Sequence, residues 1–289
     1  NRDVTLATMF YFGNTLHDIF YNLGFDEKHG NHQQNNFGKG GKGNDALIME
    51  YYEGICSDTT STPLDGFPAV IGFPSFYNEN GEKLNSGISS HVAIHEYGHA
   101  VTGRLVGGPN FDCYIFGNNT ESDSLGEGYS DFFSEALQYS RKNNVNRDTY
   151  FQLDHIYNPY NVISSQQKEY TYSKLNEIRA DKYGYLTGAT VWRLMLHEVF
   201  WNIIDNYPDN ISDDYLKVYN SEEVIPTNIL LLKLIIKSLS LQGCNPTFIK
   251  ARNSLINAME KDPRTAWNNE FKCLVWKGFA SRGLGFNAA

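Results

Sequence analysis

His95-Glu96-Tyr97-Gly98-His99 constrains this chain more than any other stretch. Two imidazoles four residues apart meet on one face only if the segment is helical. There they can grip a single zinc ion, with Glu96 between them to handle the proton of a zinc-activated water. The flanks permit such a helix. Ser86-Gly87-Ile88-Ser89-Ser90 supplies a start and Gly107-Gly108-Pro109 a stop, with Ile88, Val92, Ala93, Ala100 and Val101 as the expected buried stripe.

Two side chains hold zinc weakly, so a third ligand is required, with a fourth position left for water. Glu127 is the candidate, in Leu125-Gly126-Glu127-Gly128-Tyr129-Ser130-Asp131-Phe132-Phe133, ahead of the helix-forming Ser134-Glu135-Ala136-Leu137. Asp131, one turn on, falls on the same helix face and is expected to accept the outer N–H of His95 or His99, fixing its tautomer. A histidine pair alone is an ordinary helix feature. Joined to Glu-x-x-x-Asp, it reads as a catalytic metal site.

These segments resemble the fungalysin family, secreted fungal zinc metallopeptidases of the thermolysin-like class whose third ligand is glutamate. The likeness runs over nearly the whole chain. It is carried by Leu16-His17-Asp18, Gly24-Phe25-Asp26-Glu27, Asn35-Asn36-Phe37-Gly38-Lys39-Gly40-Gly41, the zinc motif, and Gly126 to Phe132, where the family usually has Trp at the place of Tyr129. Cys244-Asn245-Pro246-Thr247-Phe248 and Trp276 to Gly285 are similar to the family's closing segments. The resemblance implies zinc on His95, His99 and Glu127 with Glu96 as acid/base. It also implies protein or peptide substrates, endopeptidase cleavage before a bulky apolar residue, secretion, and an inhibitory N-terminal propeptide.

Two departures stand out. Where fungalysins commonly read Val-His-Ala-Ile-Gly-Glu-Val-Trp, this chain has Tyr185-Leu186-Thr187-Gly188-Ala189-Thr190-Val191-Trp192, without the histidine that helps hold the oxyanion. Ungapped alignment puts Leu186 at that place. One inserted residue puts Tyr185 there, whose phenol can donate the same hydrogen bond; Tyr114 is the weaker choice. Losing such a donor costs about a hundred- to a thousand-fold in turnover. Ahead of Thr62-Pro63-Leu64-Asp65-Gly66, the family's Asn-Asn-Ala-Asn-Phe is replaced by Cys56-Ser57-Asp58-Thr59-Thr60-Ser61, in the stretch that offers thermolysin-like enzymes an edge strand for substrate. These departures motivate the alternative of a zinc-binding pseudoenzyme or impaired peptidase of the same fold.

With 289 residues, 41% of them apolar, the chain can bury a large core. The expected architecture is α+β, a thermolysin-like pair of lobes. Residues 1–107 form a mixed lobe ending in the zinc helix, and residues 108–289 form a mostly helical lobe carrying Glu127. A net charge of -9 argues against nucleic acid as partner. No apolar run reaches membrane-spanning length, since Ile229-Leu230-Leu231-Leu232 is cut by Lys233. The start at Asn1-Arg2-Asp3 lacks a signal pattern and is read as a trimmed or partial product. Of the four cysteines, Cys244 and Cys273 are the expected disulfide, leaving Cys56 with Cys113. Asn118-Asn119-Thr120 and Asn210-Ile211-Ser212 fit the N-glycosylation pattern.

Helical spacing is expected over Val4 to Leu23 with a break near Gly13-Asn14, and around 124–142, 186–206, 226–242, 246–261 and 265–281. Residues 44–84 read as twisted antiparallel strands and 143–183 as long connections. Gly38 to Gly43 spells the dinucleotide fingerprint, but polar Gln33-Gln34-Asn35-Asn36 precedes it instead of a buried strand. His17 and Asp18 are expected to hydrogen-bond or pack and not to bind metal.

Overall fold

A computed structural model describes residues 2–54, 58–77, 80–111, 113, 121–141, 147, 168–178, 184–219 and 223–288. Its helices are α1 (Arg2–Leu23), α2 (Ser90–Leu105), α3 (Glu121–Leu137), α4 (Leu175–Ile178), α5 (Gly184–Asn206), α6 (Thr227–Leu239), α7 (Phe248–Lys261) and α8 (Asn269–Ser281). The strands are β1 (Ile48–Glu53), β2 (Thr59–Ser61), β3 (Val70–Tyr77) and β4 (Lys83–Asn85), giving the expected α+β class.

Helix α5 explains why the core lies where it does. Val191, Trp192, Leu194, Met195, Leu196, Val199 and Phe200 are all essentially inaccessible, so this helix is apolar nearly all round and must be surrounded. Trp192 meets Tyr129 of α3, Phe248 of α7 and Phe279 of α8 at ring distances of 5.3, 5.2 and 5.7 Å. On the other side of α3, Phe133 takes the edge of Phe20 from α1, and Phe20 stacks on Tyr97 of α2. The metal-motif helix is thus wedged between α1 and α3 by aromatic packing.

The sheet is mixed. β1 runs parallel to β3 (Ile48 opposite Val70), whereas β2 (Thr60 opposite Ile71) and β4 (Phe76 opposite Leu84) are antiparallel to it. An all-antiparallel reading therefore fails at β1. The link from β1 through β2 lets the chain re-enter beside β1 in the same direction, which strand alternation alone does not reveal.

Helix α1 is unbroken through Gly13-Asn14, where the Asn14 amide donates to the Phe10 carbonyl at 2.7 Å. Gly13 marks a close approach, since a Cβ there would stand 2.8 Å from Met49 Sδ of β1. Ile88 is exposed in the turn before α2, while Val92, Ala93, Ala100 and Val101 are buried as expected. His17 bonds to Asp18 and to Gln33, both at 3.0 Å. Asn210 lies half-buried in the turn after α5, its carbonyl accepting from Thr227 N–H and Oγ1.

The disulfide joins Cys113 to Cys244, correcting the expected Cys244–Cys273 pair. The turn after α6 lies on the turn after α2, with Gly107 N–H donating to Gln242 O at 2.9 Å, which brings Cys244 to Cys113. Cys273 faces out of α8 as an exposed free thiol. Cys56, Tyr114 and Asn118-Asn119-Thr120 lie outside the described residues. No helix among them is long and apolar enough to cross a membrane.

Candidate metal centre

Helix α2 begins at Ser89, whose hydroxyl accepts the Val92 N–H at 3.3 Å, and ends at Val106, where the backbone turns extended ahead of Gly107. Between these stops His95 and His99 share a face, their Nε2 atoms 3.0 Å apart. Helix α3 lies directly alongside. A Cβ on Gly98 would stand 2.9 Å from both Cα and Oγ of Ser130, so the small residue between the histidines lets the two helices touch backbone to backbone. That approach delivers Glu127 and Asp131, one turn apart, to the two imidazoles.

The Glu127 carboxylate places Oε2 3.3 Å from His95 Nε2 and 3.4 Å from His99 Nε2. These three atoms form the cluster of His, Cys, Asp or Glu ligands with metal spacing found among the described residues. A tetrahedral zinc with bonds of about 2.0–2.1 Å needs its ligand atoms about 3.3 Å apart. The edges of 3.0, 3.3 and 3.4 Å fit that ion, and the donor set of two nitrogens and one carboxylate oxygen suits it chemically.

Asp131 Oδ1 accepts the proton of His95 Nδ1 at 2.9 Å, which leaves Nε2 as the ring nitrogen that faces Glu127. His99 has no such partner for its buried Nδ1 among the described residues. Burial alone would lower the His95 pKa. Hydrogen bonds and charge from Asp131 and Glu127 reverse this and raise it well above the ordinary histidine value. Glu127 shows the mirror image: burial works to raise its pKa, yet the charge on His99 and bonds from both imidazoles hold it well below the usual carboxylate range. This corner stabilises positive charge, whether carried by a proton or by a metal cation.

Glu96 is nearly buried, and its Oε2 accepts the Thr60 hydroxyl at 2.5 Å. Sequence reading singled out the stretch holding Thr60 as an edge strand for substrate but gave Thr60 itself no role, since its contact with Glu96 is remote in sequence. Tyr185 stands in the first turn of α5, partly buried, four residues before Ala189. The Ala189 carbonyl would lie 2.7 Å from a Cβ on Gly128, the neighbour of Glu127, so this turn of α5 runs along the ligand-bearing part of α3. Leu186 is 45% exposed and offers no polar group.

The chain matches the Fungalysin metallopeptidase family over residues 1–288. It is 34% identical to Extracellular metalloproteinase 5 of Arthroderma benhamiae, across 99% of this chain and 44% of that protein. Extracellular metalloproteinase 1 of Trichophyton equinum is 34% identical over 99% of this chain and 46% of its own length. Extracellular metalloproteinase mep of Aspergillus terreus is 34% identical over 99% and 44% respectively. The chain thus spans about half the length of the curated relatives it matches.

Proposed function

The chain belongs to the fungalysin metallopeptidase family, and from that membership we propose that it is a secreted zinc-dependent endopeptidase with His95, His99 and Glu127 as metal ligands. The observation that carries the reading is the triangle of Nε2, Nε2 and Oε2 atoms, with edges of 3.0 to 3.4 Å. When bound there, zinc would supply Lewis acidity and acidify a water. Asp131 holds the His95 ring in the ligating tautomer. Glu96 takes the proton of the attacking water and returns it to the leaving amine.

Strand β2 offers main-chain groups to an extended peptide, a form of strand addition. Tyr185 is proposed to donate to the developing oxyanion in place of the missing histidine. Residues 1–107 bring His95, Glu96 and His99 to the cleft, and residues 108–289 bring Glu127. Secretion is supported by relatives named as extracellular and by a disulfide of the kind that persists in oxidising compartments. An inhibitory propeptide belongs to the same reading.

Hydrolysis of denatured casein by the metal-loaded protein, compared with Glu96→Gln, tests the proposal. Glu96→Gln is expected to lose about a hundred- to ten-thousand-fold in kcat while keeping its zinc. Equal rates for the two proteins, or an inert wild type with zinc in place, would reject the peptidase assignment.

A further inference from the structure

We infer that Thr60 is a positioning residue for Glu96, its hydroxyl tying down one carboxylate oxygen so that the other is free to exchange the proton of the attacking water. This rests on the peptidase reading above and adds a residue to it.

The contact is short and directed. Thr60 Oγ1 lies 2.5 Å from Glu96 Oε2 and 3.1 Å from the Glu96 carbonyl oxygen. Its single proton goes to the carboxylate, the stronger and nearer acceptor. Among the described residues no other hydrogen-bond donor reaches this carboxylate. A glutamate has three side-chain torsions, and without a second tether its carboxylate swings about the helix surface. Threonine is suited to fix it, because a β-branched side chain is stiff at χ1 and its hydroxyl arrives already aimed.

The framework holds the hydroxyl in place from both sides. On β2, Thr59 and Ser61 are exposed while Thr60 turns inward, as strand alternation requires. Thr60 pairs with Ile71, which is fully buried in β3. Beyond the strand, Thr62 packs so tightly on α2 that a Cβ on Gly103 would stand 2.9 Å from Thr62 Cβ. The next residue is pinned as well, since Arg104 Nε donates to Pro63 O at 2.7 Å. The edge strand therefore supplies a side-chain contact to Glu96 from a fixed framework.

Steady-state kinetics on a peptide substrate separate positioning from simple wall-building. Thr60→Val keeps shape and β-branching but lacks the hydroxyl. It is expected to lower kcat about ten- to a hundred-fold, the cost of a misplaced catalytic group, with KM within about twofold and zinc content and melting temperature unchanged. Thr60→Ser restores the hydroxyl and recovers most of the lost kcat. In the Glu96→Gln background, Thr60→Val changes the residual rate no further, since the two act as a unit. A Thr60→Val protein with wild-type kcat overturns the inference while leaving the peptidase reading intact. So does a defect confined to KM that serine fails to repair. A wild type that does not hydrolyse peptide, or that Glu96→Gln matches, sinks both together.

Discussion

Helix α2 carries two buried charge clusters little more than a turn apart, and they are neutralised in opposite ways. Around His95 and His99, two imidazole nitrogens and one carboxylate oxygen face one another at 3.0 to 3.4 Å, and positive charge comes as a proton or a cation taken up from outside. Around Arg104 the protein supplies its own. The guanidinium donates to Asp45 Oδ2 at 2.9 Å and to the carbonyls of Gly30, Pro63 and Phe67 at 2.7 Å, and lies 3.6 Å from Asp65 Oδ1. Gly66 and Lys42 add backbone N–H groups to Asp45 and Asp65. A fixed internal cation makes a closed cluster that staples loops. A cluster lacking one has donor atoms at a spacing that could hold a cation from outside.

The largest test breaks the closed cluster. Arg104→Met leaves two buried carboxylates without their cation, and breaking such a pair costs about 3–5 kcal/mol. Burial already raises the Asp65 pKa above the ordinary carboxylate value with Arg104 present. Urea unfolding should therefore show a large fall in stability, partly restored by Asp45→Asn; an unchanged midpoint would contradict the staple.

The open cluster should respond in the reverse manner. Asp131→Asn removes the charge behind His95 and is expected to weaken zinc affinity about 10- to 100-fold, by the usual penalty for losing such a partner. Stability measured with chelator present should shift far less than in Arg104→Met. Competition with a chromogenic chelator reads the first, urea unfolding the second. A large stability loss with affinity retained would place Asp131 in the scaffold instead.

The same contrast marks what could be read in advance. Local spacing carried the open cluster, because His95-x-x-x-His99 and Glu127-x-x-x-Asp131 each lie on one helix face, and the glycine that lets those helices meet sits inside the first motif. Helices α5 to α8 were legible for the same reason, within a few residues at each end. The closed cluster was not, since Asp45, Asp65 and Arg104 come from separate segments and only tertiary folding joins them. The contact of Thr60 with Glu96 escaped notice for that reason too. The parallel pairing of β1 with β3 and the Cys113–Cys244 bond are likewise long-range facts, set by how the connections cross. Counting cysteines near helix ends could not show that Cys273 faces outward.

Between the two clusters lies a histidine whose charge state follows from its neighbours. His32 Nε2 donates to the Ala100 carbonyl of α2 at 3.3 Å, one residue beyond His99 and four before Arg104. Burial, then repulsion from Arg104, pushes its pKa down to about 3. The unfolded chain takes up a proton near pH 6.5 and the folded one does not, so His32 costs stability as pH falls from about 6.5 towards 3 and nothing above that window. The slope from one such group approaches about 1.4 kcal/mol per pH unit. His91, held neutral by burial with a pKa of about 4, gives a second slope of the same sign. His32→Gln keeps an N–H donor for Ala100 and cannot titrate. Urea unfolding at pH 7.5, 6.0 and 5.0, with chelator present so that metal release does not enter, should show a shallower decline for His32→Gln than for wild type. Because His91 and His95 are the same in both proteins, the difference between the two declines isolates His32, and parallel declines would mean that this imidazole is not held neutral beside the closed cluster.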